Sequence, residues 1–313
     1  MKAILLHNPK SGIFNGTTAE DLTKALEDVG YETTYRTSES PEELDEILEK
    51  PGGLVVIAGG DGSVRAVATR SIGKNIPMVV LPLGTANNIC RVLSGDSDAM
   101  QIIAGLENPR KQFFDVGRLW SPWGEDYFLE SLGIGVYASI LKAYQPEKGK
   151  SIRRGIEAIL EGLDEYEQPK RFQIIMDGQD ISGDYMLVEI LNTPTIGPRL
   201  RLAPQAEPYD GIFDVVRVMQ SEDNGIARML SSLIKGEVDE LSNVLVSRGK
   251  KLEIRWDGFP LHLDEQVLPI IEQGNTKNWN VNRDDFKPST LQIEILPEAL
   301  EFWLPEFDQE EKG

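Results

Sequence analysis

Two stretches decide the fold: residues 54–63, LVVIAGGDGS, and residues 77–88, PMVVLPLGTANN. Each opens with the unbroken apolar run typical of a strand that a parallel sheet buries on both faces. Each then breaks at glycine, and the first leads into a helix predicted from about Val64 to Ser71. Strands over 2–7 and 31–37 extend the alternation of strand and helix. The N-terminal region is therefore predicted to be a parallel, Rossmann-like α/β sheet with right-handed crossovers.

The pattern changes after about residue 112. Many short apolar runs follow, separated by turn signals such as Asp177-Gly178 and Asp257-Gly258, which favours an antiparallel β-sandwich. We expect two domains, residues 1–115 and 116–296, with the apolar tail 297–313 packing back onto the first. The predicted elements of the second region are strands over 113–119, 127–132, 171–176, 184–191, 211–219, 243–248, 250–256 and 291–296, and helices near 136–145, 151–166 and 224–236.

Composition limits the function. The chain has 313 residues, 40% of them hydrophobic, and a formal net charge of −19. This hydrophobic content excludes a wholly disordered chain, and the acidic balance argues against nucleic acid as the main partner. The single cysteine, Cys90, excludes an internal disulfide, and the two histidines, His7 and His262, cannot build a multi-histidine metal site.

No apolar run reaches the roughly 18 residues of a membrane-spanning helix. The first apolar run is shorter than a signal-peptide core, so we expect a cytoplasmic protein. Basic residues still allow peripheral contact with anionic lipid headgroups, although ordinary solvated surface explains them equally well. These residues are Lys148, Lys150, Arg153, Arg154, Arg199 and Arg201.

Three loops follow predicted strands at one edge of the parallel sheet: Asn8–Gly12, Gly59–Ser63 and Gly84–Asn88. Glycine lets backbone N–H groups approach phosphate oxygens, and helix N-termini add positive potential. Asp61, inside the second loop, is suited to bridge a cation to phosphates or to take a proton. Each loop alone is also compatible with a simple tight turn, but three on one edge favour a phosphate site. The Walker and G-x-G-x-x-G fingerprints are absent, which argues against a P-loop ATPase and a standard dinucleotide site.

An ordered set of motifs carries a family resemblance. NPKSG at 8–12, GGDGS at 59–63, PLGTANN at 82–88 and FDVG at 114–117 are followed by LAPQAEPYDGIFDVVRV at 202–218 and Leu263-Asp264. Together they resemble the diacylglycerol kinase catalytic family, which includes bacterial lipid kinases and sphingosine kinases and is distantly similar to NAD kinases and phosphofructokinases.

The resemblance implies an ATP-dependent lipid kinase that uses Mg²⁺ and has a β-sandwich lipid-substrate domain. Asp61 and Asp115 would surround the magnesium waters, and Asp264 would act as the base near the acceptor hydroxyl. The resemblance implies these nucleotide-contacting residues: Asn8, Pro9, Lys10, Ser11, Gly12, Thr37, Gly59, Gly60, Asp61, Gly62, Ser63, Thr85 and Asn88.

The chain departs from the family pattern at three acidic positions. They hold Ala66, Asn88 and Gln266, of which the amide at 88 brings no charge and the amide at 266 cannot accept a proton as a carboxylate does. A structural cation is also implied, bound by the Asp210 carboxylate and by the backbone carbonyls of Glu207 and Ile212. An ordinary Asp-Gly turn at 210–211 is the alternative there.

Two further functions remain open at this point. The missing acids are compatible with a lipid- or nucleotide-binding regulator that has little kinase activity, and the distant relationship allows an NAD-kinase-like enzyme. The acceptor lipid is not specified, since diacylglycerol, phosphatidylglycerol, a sphingoid base and a polyprenol all present a hydroxyl. The oligomeric state is also open, and the edge strands of the sandwich are compatible with a homodimer.

Overall fold

The computed structural model describes residues 1–7, 17–38, 40–143, 169–197, 199–220, 243–268 and 289–306. The chain forms two compact units, Met1–Phe114 with Glu298–Gly313, and Asp115–Pro297. The loop Asn8–Gly12, the predicted helices 151–166 and 224–236, and the basic residues from Lys148 to Arg154 lie outside the described residues.

The first unit is a parallel sheet flanked by helices, as the sequence predicts. Its elements are β1 Lys2–His7, α1 Ala19–Asp28, β2 Glu32–Thr37, α2 Pro41–Glu49, β3 Leu54–Gly59, α3 Asp61–Ser71, β4 Pro77–Pro82, α4 Asn88–Ser94 and α5 Ala99–Ala104. The strands run in the order β2-β1-β3-β4, followed by the C-terminal part of the long final strand β18 (Ser289–Leu304), and all of these pairs are parallel.

Local sequence explains these elements. All six residues of β3 are buried, as expected for a strand covered on both faces. Thr18 and Asp98 start α1 and α5 with capping boxes, and the Ser40 side chain caps α2.

Helix α3 starts earlier than predicted, at Asp61 rather than at about Val64. Gly60 is its extended N-cap, with φ −99° and ψ −174°. A carboxylate in the first turn is favourable because it faces the positive end of the helix dipole. The GGDGS stretch is therefore a strand end, a cap and the first turn of a helix rather than a free loop.

The predicted strand 291–296 and the tail after it form one strand, β18, from Ser289 to Leu304. Pro297 has no backbone N–H to donate to a neighbouring strand, so the sequence predicts that the strand ends before it. Burial alternates again beyond it, at Leu300, Phe302 and Leu304. Phe302 is paired with Met78 of β4 in parallel register, so the C-terminal residues add a strand to the first unit.

The second unit is antiparallel, which confirms the predicted sandwich. One sheet has six strands in the order β14-β13-β12-β7-β16-β17, and a second group pairs as β10-β9-β15 with the N-terminal part of β18. The elements from the unit boundary onward are β5 Arg110–Ser121, β6 Gly124–Phe128, β7 Ser131–Gly135, α6 Val136–Ala143, β8 Lys170–Phe172, β9 Ile174–Met176, β10 Gln179–Asp180, β11 Gly183–Tyr185, β12 Leu187–Leu191, β13 Phe213–Val218, β14 Val244–Gly249, β15 Lys251–Trp256, β16 Leu261–Leu263 and β17 Gln266–Leu268.

Three strands predicted as single runs are divided. The run 127–132 is split between β6 and β7, with Leu129 and Glu130 between them, and the runs 171–176 and 184–191 are each split in two. Apolar periodicity continues across these breaks, so hydropathy alone does not reveal them. The break at Leu129–Glu130 matters most, because its backbone N–H groups contact a candidate catalytic residue.

Aromatic side chains fill the core of the second unit. Trp256 is fully buried and lies edge-on to Trp123, with ring centroids 5.1 Å apart, and Phe128 stacks on Phe213 at 5.5 Å. In the part of the chain that the structure describes, no helix has the length and apolarity needed to cross a membrane.

Candidate functional site

The carboxyl ends of four neighbouring strands align at one edge of the first unit. Register pairs His7 with Thr37 and with Ala58, and pairs Gly59 with Pro82. Open α/β sheets bind their ligands outside this edge. The described loops that follow these strands are therefore placed together, as the sequence predicts for a phosphate site.

The glycine loops after β3 and β4 touch each other. A Cβ added to Gly84 would overlap Gly60 Cα, and one added to Gly60 would lie 3.0 Å from Gly84 Cα. The backbone bond from Leu83 N–H to the Gly59 carbonyl, 3.0 Å long, joins the same two loops. This close backbone approach therefore requires glycine at 84 and leaves little room for a Cβ at 60.

Asn87 shapes the second loop. Its side-chain Oδ1 accepts from the Gly84 N–H at 2.8 Å, and its Nδ2 donates to the Gly84 carbonyl at 2.9 Å. Asn87 itself has φ +52°, a left-handed conformation that asparagine tolerates better than most residues. This side chain holds the turn that starts α4 at Asn88.

Asp61 joins the two loops electrostatically. It is buried, and its Oδ1 accepts a 3.0 Å hydrogen bond from the backbone N–H of Ile89, in the first turn of α4. The carboxylate therefore stabilises the starts of two helices at once. Cys90, one residue further, is buried, and burial together with the Asp61 charge raises its pKa to about 12, so it is not a nucleophile.

The other predicted nucleotide-contacting residues of the first unit differ in exposure. Thr37, Gly62 and Thr85 are exposed, Gly60 and Ser63 are half-buried, and Gly59 and Asn88 are buried. Their exposure leaves the two threonines and Gly62 accessible to a ligand, whereas Asn88 lies inside the turn.

Asp115 is held in the second unit by backbone groups. It is 1% exposed, and its Oδ2 accepts from the Gly211 N–H at 2.7 Å. Gly211 has φ +69°, a conformation that glycine adopts without strain. The predicted FDVG and YDG motifs are therefore neighbours in space, although 96 residues separate the two partners.

Asn192 links Asp115 to the turn between β6 and β7. Its Nδ2 donates to the carbonyls of both Asp115 and Leu129, each at 2.9 Å. Because carbonyls only accept, the amide nitrogen must face them. Asn192 was missed by sequence reasoning. Its signal in the sequence is an asparagine directly after the buried strand β12 and two residues before Pro194.

Asp264 binds the same turn from the other side. Its Oδ1 accepts from the N–H of Glu130 at 2.7 Å and of Ser131 at 3.2 Å, and Leu129 N–H lies 3.2 Å from both oxygens. Asp115 and Asp264 are thus connected through Asn192 and three consecutive backbone N–H groups. This carboxylate anchors a turn, in addition to any chemistry it performs.

The Asp264-Glu265 pair forms the two-residue turn between β16 and β17, with Leu263 opposite Gln266. The left-handed residue is Asp264, with φ +53°. Glu265, the second residue of the turn, does not have a positive φ. Glu265 is exposed in the turn, and Gln266 is half-buried at the start of β17.

Asp210 lies against an arginine. Its Oδ2 is paired with Arg248, and its Oδ1 accepts from the Ile212 N–H at 3.1 Å. Arg248 Nε also lies 3.6 Å from Asp214 Oδ2. The predicted cation ligand Glu207 is exposed nearby in sequence. In the described residues Arg248 supplies a positive charge beside Asp210, and the bond from Ile212 N–H is compatible with the alternative of an ordinary Asp-Gly turn.

Comparisons with known proteins find matches in both regions of the chain. Residues 2–119 match the diacylglycerol kinase catalytic domain, and residues 150–300 match the YegS C-terminal NAD kinase beta sandwich-like domain. The chain is therefore similar to diacylglycerol kinases over the first region and to YegS-like lipid kinases over the second. The resemblance inferred from the sequence is confirmed. The matches also support a kinase at the level of the family.

Curated relatives of this kinase family match along most of their length. Diacylglycerol kinase of Bacillus subtilis is 25% identical over 280 residues, which cover 82% of this chain and 89% of the relative. A probable lipid kinase YegS-like of Alcanivorax borkumensis is 24% identical, covering 87% and 86%. A diacylglycerol kinase of Staphylococcus saprophyticus is 25% identical, covering 95% and 99%.

Solved structures show the same fold. A crystal structure of a diacylglycerol kinase from Bacillus anthracis has a TM-score of 0.66 at 17% identity, and a second from that organism has 0.72 at 18%. Each superposition covers 97% of both chains.

The residues present fit the nucleotide and magnesium that a kinase of this family implies. The Gly60–Gly84 approach leaves backbone uncovered by Cβ atoms beside a helix N-terminus, as phosphate binding requires. Near Asp115, the buried Asn192 Oδ1 has no hydrogen-bond partner among the described residues, and oxygen atoms are the ligands that Mg²⁺ prefers. No three His, Cys, Asp or Glu side chains of the described residues form a ready-made metal cluster.

The residues at Asp210 do not fit a cation in the same way. Its one carboxylate is already neutralised by Arg248, and a second positive charge beside that guanidinium would be repelled. No step of the proposed reaction therefore needs a metal held by Asp210, Glu207 and Ile212.

Proposed function

We propose that this chain is an ATP-dependent lipid kinase that transfers the γ-phosphoryl group to the hydroxyl of a diacylglycerol-like lipid. The observation that carries the proposal is the position of Asp61. Its carboxylate sits in the first turn of α3, between two glycine loops that touch at Gly60 and Gly84. Phosphoryl transfer depends mainly on positioning and on neutralising charge: the glycine loops would position the phosphates, and Asp61 would hold the Mg²⁺ that neutralises them.

The first unit would bind ATP. Backbone N–H groups of Gly59–Ser63 and of the turn at Gly84–Asn88 would contact the phosphates, with Thr37 and Thr85 as further contacts. The loop Asn8–Gly12 would complete the set. Because Asn88 is an amide where the family pattern has an acid, Asp61 would carry the metal-binding charge of this unit alone.

The second unit would hold the acceptor. Asp115 would bind magnesium waters, and Asp264 would orient the lipid hydroxyl and accept its proton. Mg²⁺ bound with ATP supplies the charge neutralisation that the transferring phosphoryl group requires. The acceptor hydroxyl's proton leaves with Asp264 or with water, since Gln266 cannot take it.

A second candidate function is a nucleotide- or lipid-binding regulator with little turnover. The observation that favours it is the use of Asp264 as a backbone anchor. A carboxylate that accepts three N–H groups is less available to a substrate hydroxyl. The amides at Asn88 and Gln266 point in the same direction.

The lipid acceptor implies transient contact with a membrane surface, which we propose occurs through basic residues, of which Arg199 and Arg201 lie in the described part. A homodimer through an edge strand such as β14 is a further proposal. Co-sedimentation with anionic vesicles and light scattering test these two points.

The deciding experiment is Mg²⁺-dependent ATP consumption by the purified chain with a total lipid extract, with mass spectrometry of the products. A phosphorylated lipid supports the kinase. ATP binding without consumption across a panel of diacylglycerol, phosphatidylglycerol, sphingoid base and polyprenol supports the regulator. Consumption with NAD as the acceptor supports an NAD-kinase-like enzyme and refutes the proposal.

A further inference from the structure

A buried ion pair lies directly behind the Asp264 turn. His262 of β16 and Glu189 of β12 are both 0% exposed, and His262 Nε2 lies 2.9 Å and 3.1 Å from the two Glu189 oxygens. Strand β7 lies between their strands in the sheet. Buried charges persist only where they are paired, so each residue requires the other.

The second ring nitrogen of His262 contacts Asp264 itself. Nδ1 lies 2.8 Å from the Asp264 backbone oxygen. A carbonyl oxygen only accepts, so Nδ1 carries a hydrogen and donates it. Nε2 then shares a proton with Glu189. Burial disfavours the charged imidazole, but the Glu189 carboxylate outweighs it and raises the pKa of His262 above its usual value.

The surroundings are shaped for this pair. A Cβ added to Gly133 of β7 would overlap both Glu189 Oε1 and His262 Nε2. The ring of Tyr137 packs edge-on against the imidazole, with centroids 5.0 Å apart. Burial is the main cause that raises the pKa of Tyr137 well above its usual value, and the negative charges of Glu189, Glu130 and Glu265 add to it. Tyr137 therefore remains a neutral phenol.

Asp264 needs such support. Its φ of +53° is uncommon for a residue with a side chain, and surrounding contacts must hold it there. Its carboxylate is bound by the turn at Leu129–Ser131, and its carbonyl by His262. Two independent contacts therefore fix both ends of one residue.

We propose that His262 and Glu189 are positioning residues for Asp264: the paired imidazole holds the Asp264 backbone so that its carboxylate is presented at the site. Glu189 keeps His262 in the form that donates from Nδ1, and His262 transmits this constraint to the turn. The inference rests on the proposed role of Asp264 in phosphoryl transfer.

The kinetic test replaces the pair by apolar residues, His262→Phe with Glu189→Leu. Exchanging a buried ion pair for packed apolar side chains is often neutral for stability, so this variant is expected to fold. We expect kcat to fall at least about tenfold, because small displacements of reacting groups are costly. The KM for ATP stays unchanged. The matched control, Arg171→Gln with Asp184→Asn, removes an exposed pair of the same unit and keeps wild-type kcat. A folded apolar variant with wild-type kcat overturns the proposal.

A second readout needs no kinase activity. The backbone amides of Leu129, Glu130 and Ser131 donate to the Asp264 carboxylate, and their hydrogen exchange reports on the turn. We expect exchange at these amides to accelerate in the apolar variant, while amides of β13 stay protected. Unchanged exchange at the turn overturns the positioning role. If the wild-type chain phosphorylates no acceptor, the proposed function fails, and this readout still decides the positioning role.

A conservative replacement of Glu189 provides a third test. In Glu189→Gln the amide can donate to His262 Nε2, which leaves the Nδ1 hydrogen facing the Asp264 carbonyl. We expect this variant to retain turn protection that Glu189→Leu loses. Equal loss in both variants contradicts the role assigned to the hydrogen bond. Comparing these two single variants also tests the positioning role if the double variant does not fold.

Discussion

The carboxylate of Asp61, in the first turn of α3, accepts a hydrogen bond from the backbone N–H of Ile89, in the first turn of α4, at 3.0 Å. One charged side chain thus ties together the two glycine loops that follow adjacent strands. The same carboxylate is the proposed magnesium-binding charge of the first unit. Structural and chemical roles therefore have to be separated by experiment.

Asp61→Asn makes that separation. The amide oxygen can still accept from Ile89 N–H, so the fold is kept, whereas the charge is lost. We expect turnover to fall by about 10² or more, the usual scale for a lost charge-stabilising group. Thermal unfolding stays close to wild type. Asp61→Ala loses both the charge and the hydrogen-bond acceptor. It also unfolds at lower temperature, since the buried N–H of Ile89 loses its acceptor. Near-wild-type turnover in Asp61→Asn contradicts the assignment.

Gly84→Ala tests the close approach of the loops. Its Cβ would overlap Gly60 Cα, so one backbone segment must move. We expect ATP affinity to fall by about tenfold or more, since displaced N–H groups no longer converge on the phosphates. Gly60→Ala provides the comparison, because its Cβ would lie 3.0 Å from Gly84 Cα and requires a smaller shift. If calorimetry shows unchanged ATP affinity in Gly84→Ala, the proposed phosphate-binding role of the two glycine loops is refuted.

Arg248 predicts how the second unit responds to metal. Because its guanidinium already neutralises Asp210 and approaches Asp214, the effect of Mg²⁺ on the melting temperature is expected to be the same in the wild type and in Asp210→Asn. In Arg248→Gln the two carboxylates lose their cation, so the melting temperature falls and now rises with Mg²⁺ concentration. Differential scanning calorimetry with chelator or added Mg²⁺ measures both. A wild-type Mg²⁺ effect that Asp210→Asn abolishes shows instead that a cation binds there.

The pKa values of the two histidines are predicted to shift in opposite directions. Burial lowers the pKa of His7 below 6.5, whereas that of His262 is raised above it. Stability linked to His262 is therefore complete below pH 6.5 and is lost as pH rises through its folded pKa. Stability linked to His7 is gained as pH rises through the interval below 6.5.

Nitrogen-edited NMR of the two imidazoles measures this directly, since the chain has only these histidines. The predicted spectrum shows His262 protonated at pH values where His7 is already neutral. The reverse order contradicts the ion pair with Glu189.

Phe302 tests the contribution of the C-terminal strand. It is fully buried in the first unit and packs edge-on against Phe114, with centroids 5.5 Å apart. Phe302→Ala is expected to lower the free energy of unfolding by about 3–5 kcal/mol, as for other buried phenylalanines. Trp303→Ala, on the opposite, half-buried face of the same strand, costs less. Urea denaturation of both variants makes the comparison, and equal losses argue against a buried strand.

The sequence predicted those parts of the site that local patterns encode. Apolar runs followed by glycine locate the loops at Gly60 and Gly84, because strand, turn and helix signals are all short-range. The role of Asn87 is local too. What no local pattern reveals is the bond from Asp61 to Ile89, since it depends on two crossovers being packed side by side.

The second unit shows the limit more clearly. His262 and Glu189 are 73 residues apart and meet only because β12, β7 and β16 are neighbours. Antiparallel pairing of distant strands is set by tertiary packing and leaves no fixed spacing in the sequence. The same holds for Arg248 beside Asp210. Residues that support a site in this unit therefore become visible only with the fold.

Transfer of label from γ-labelled ATP to lipid measures the proposed phosphoryl transfer most directly. Wild-type protein and Asp61→Asn are incubated with Mg²⁺ and mixed vesicles that contain diacylglycerol, and the label in the organic extract is counted. We expect a labelled lipid with the wild type and about 10²-fold less with Asp61→Asn. Equal labelling by both proteins, or no labelled lipid with any hydroxyl-bearing lipid while ATP still binds, contradicts it.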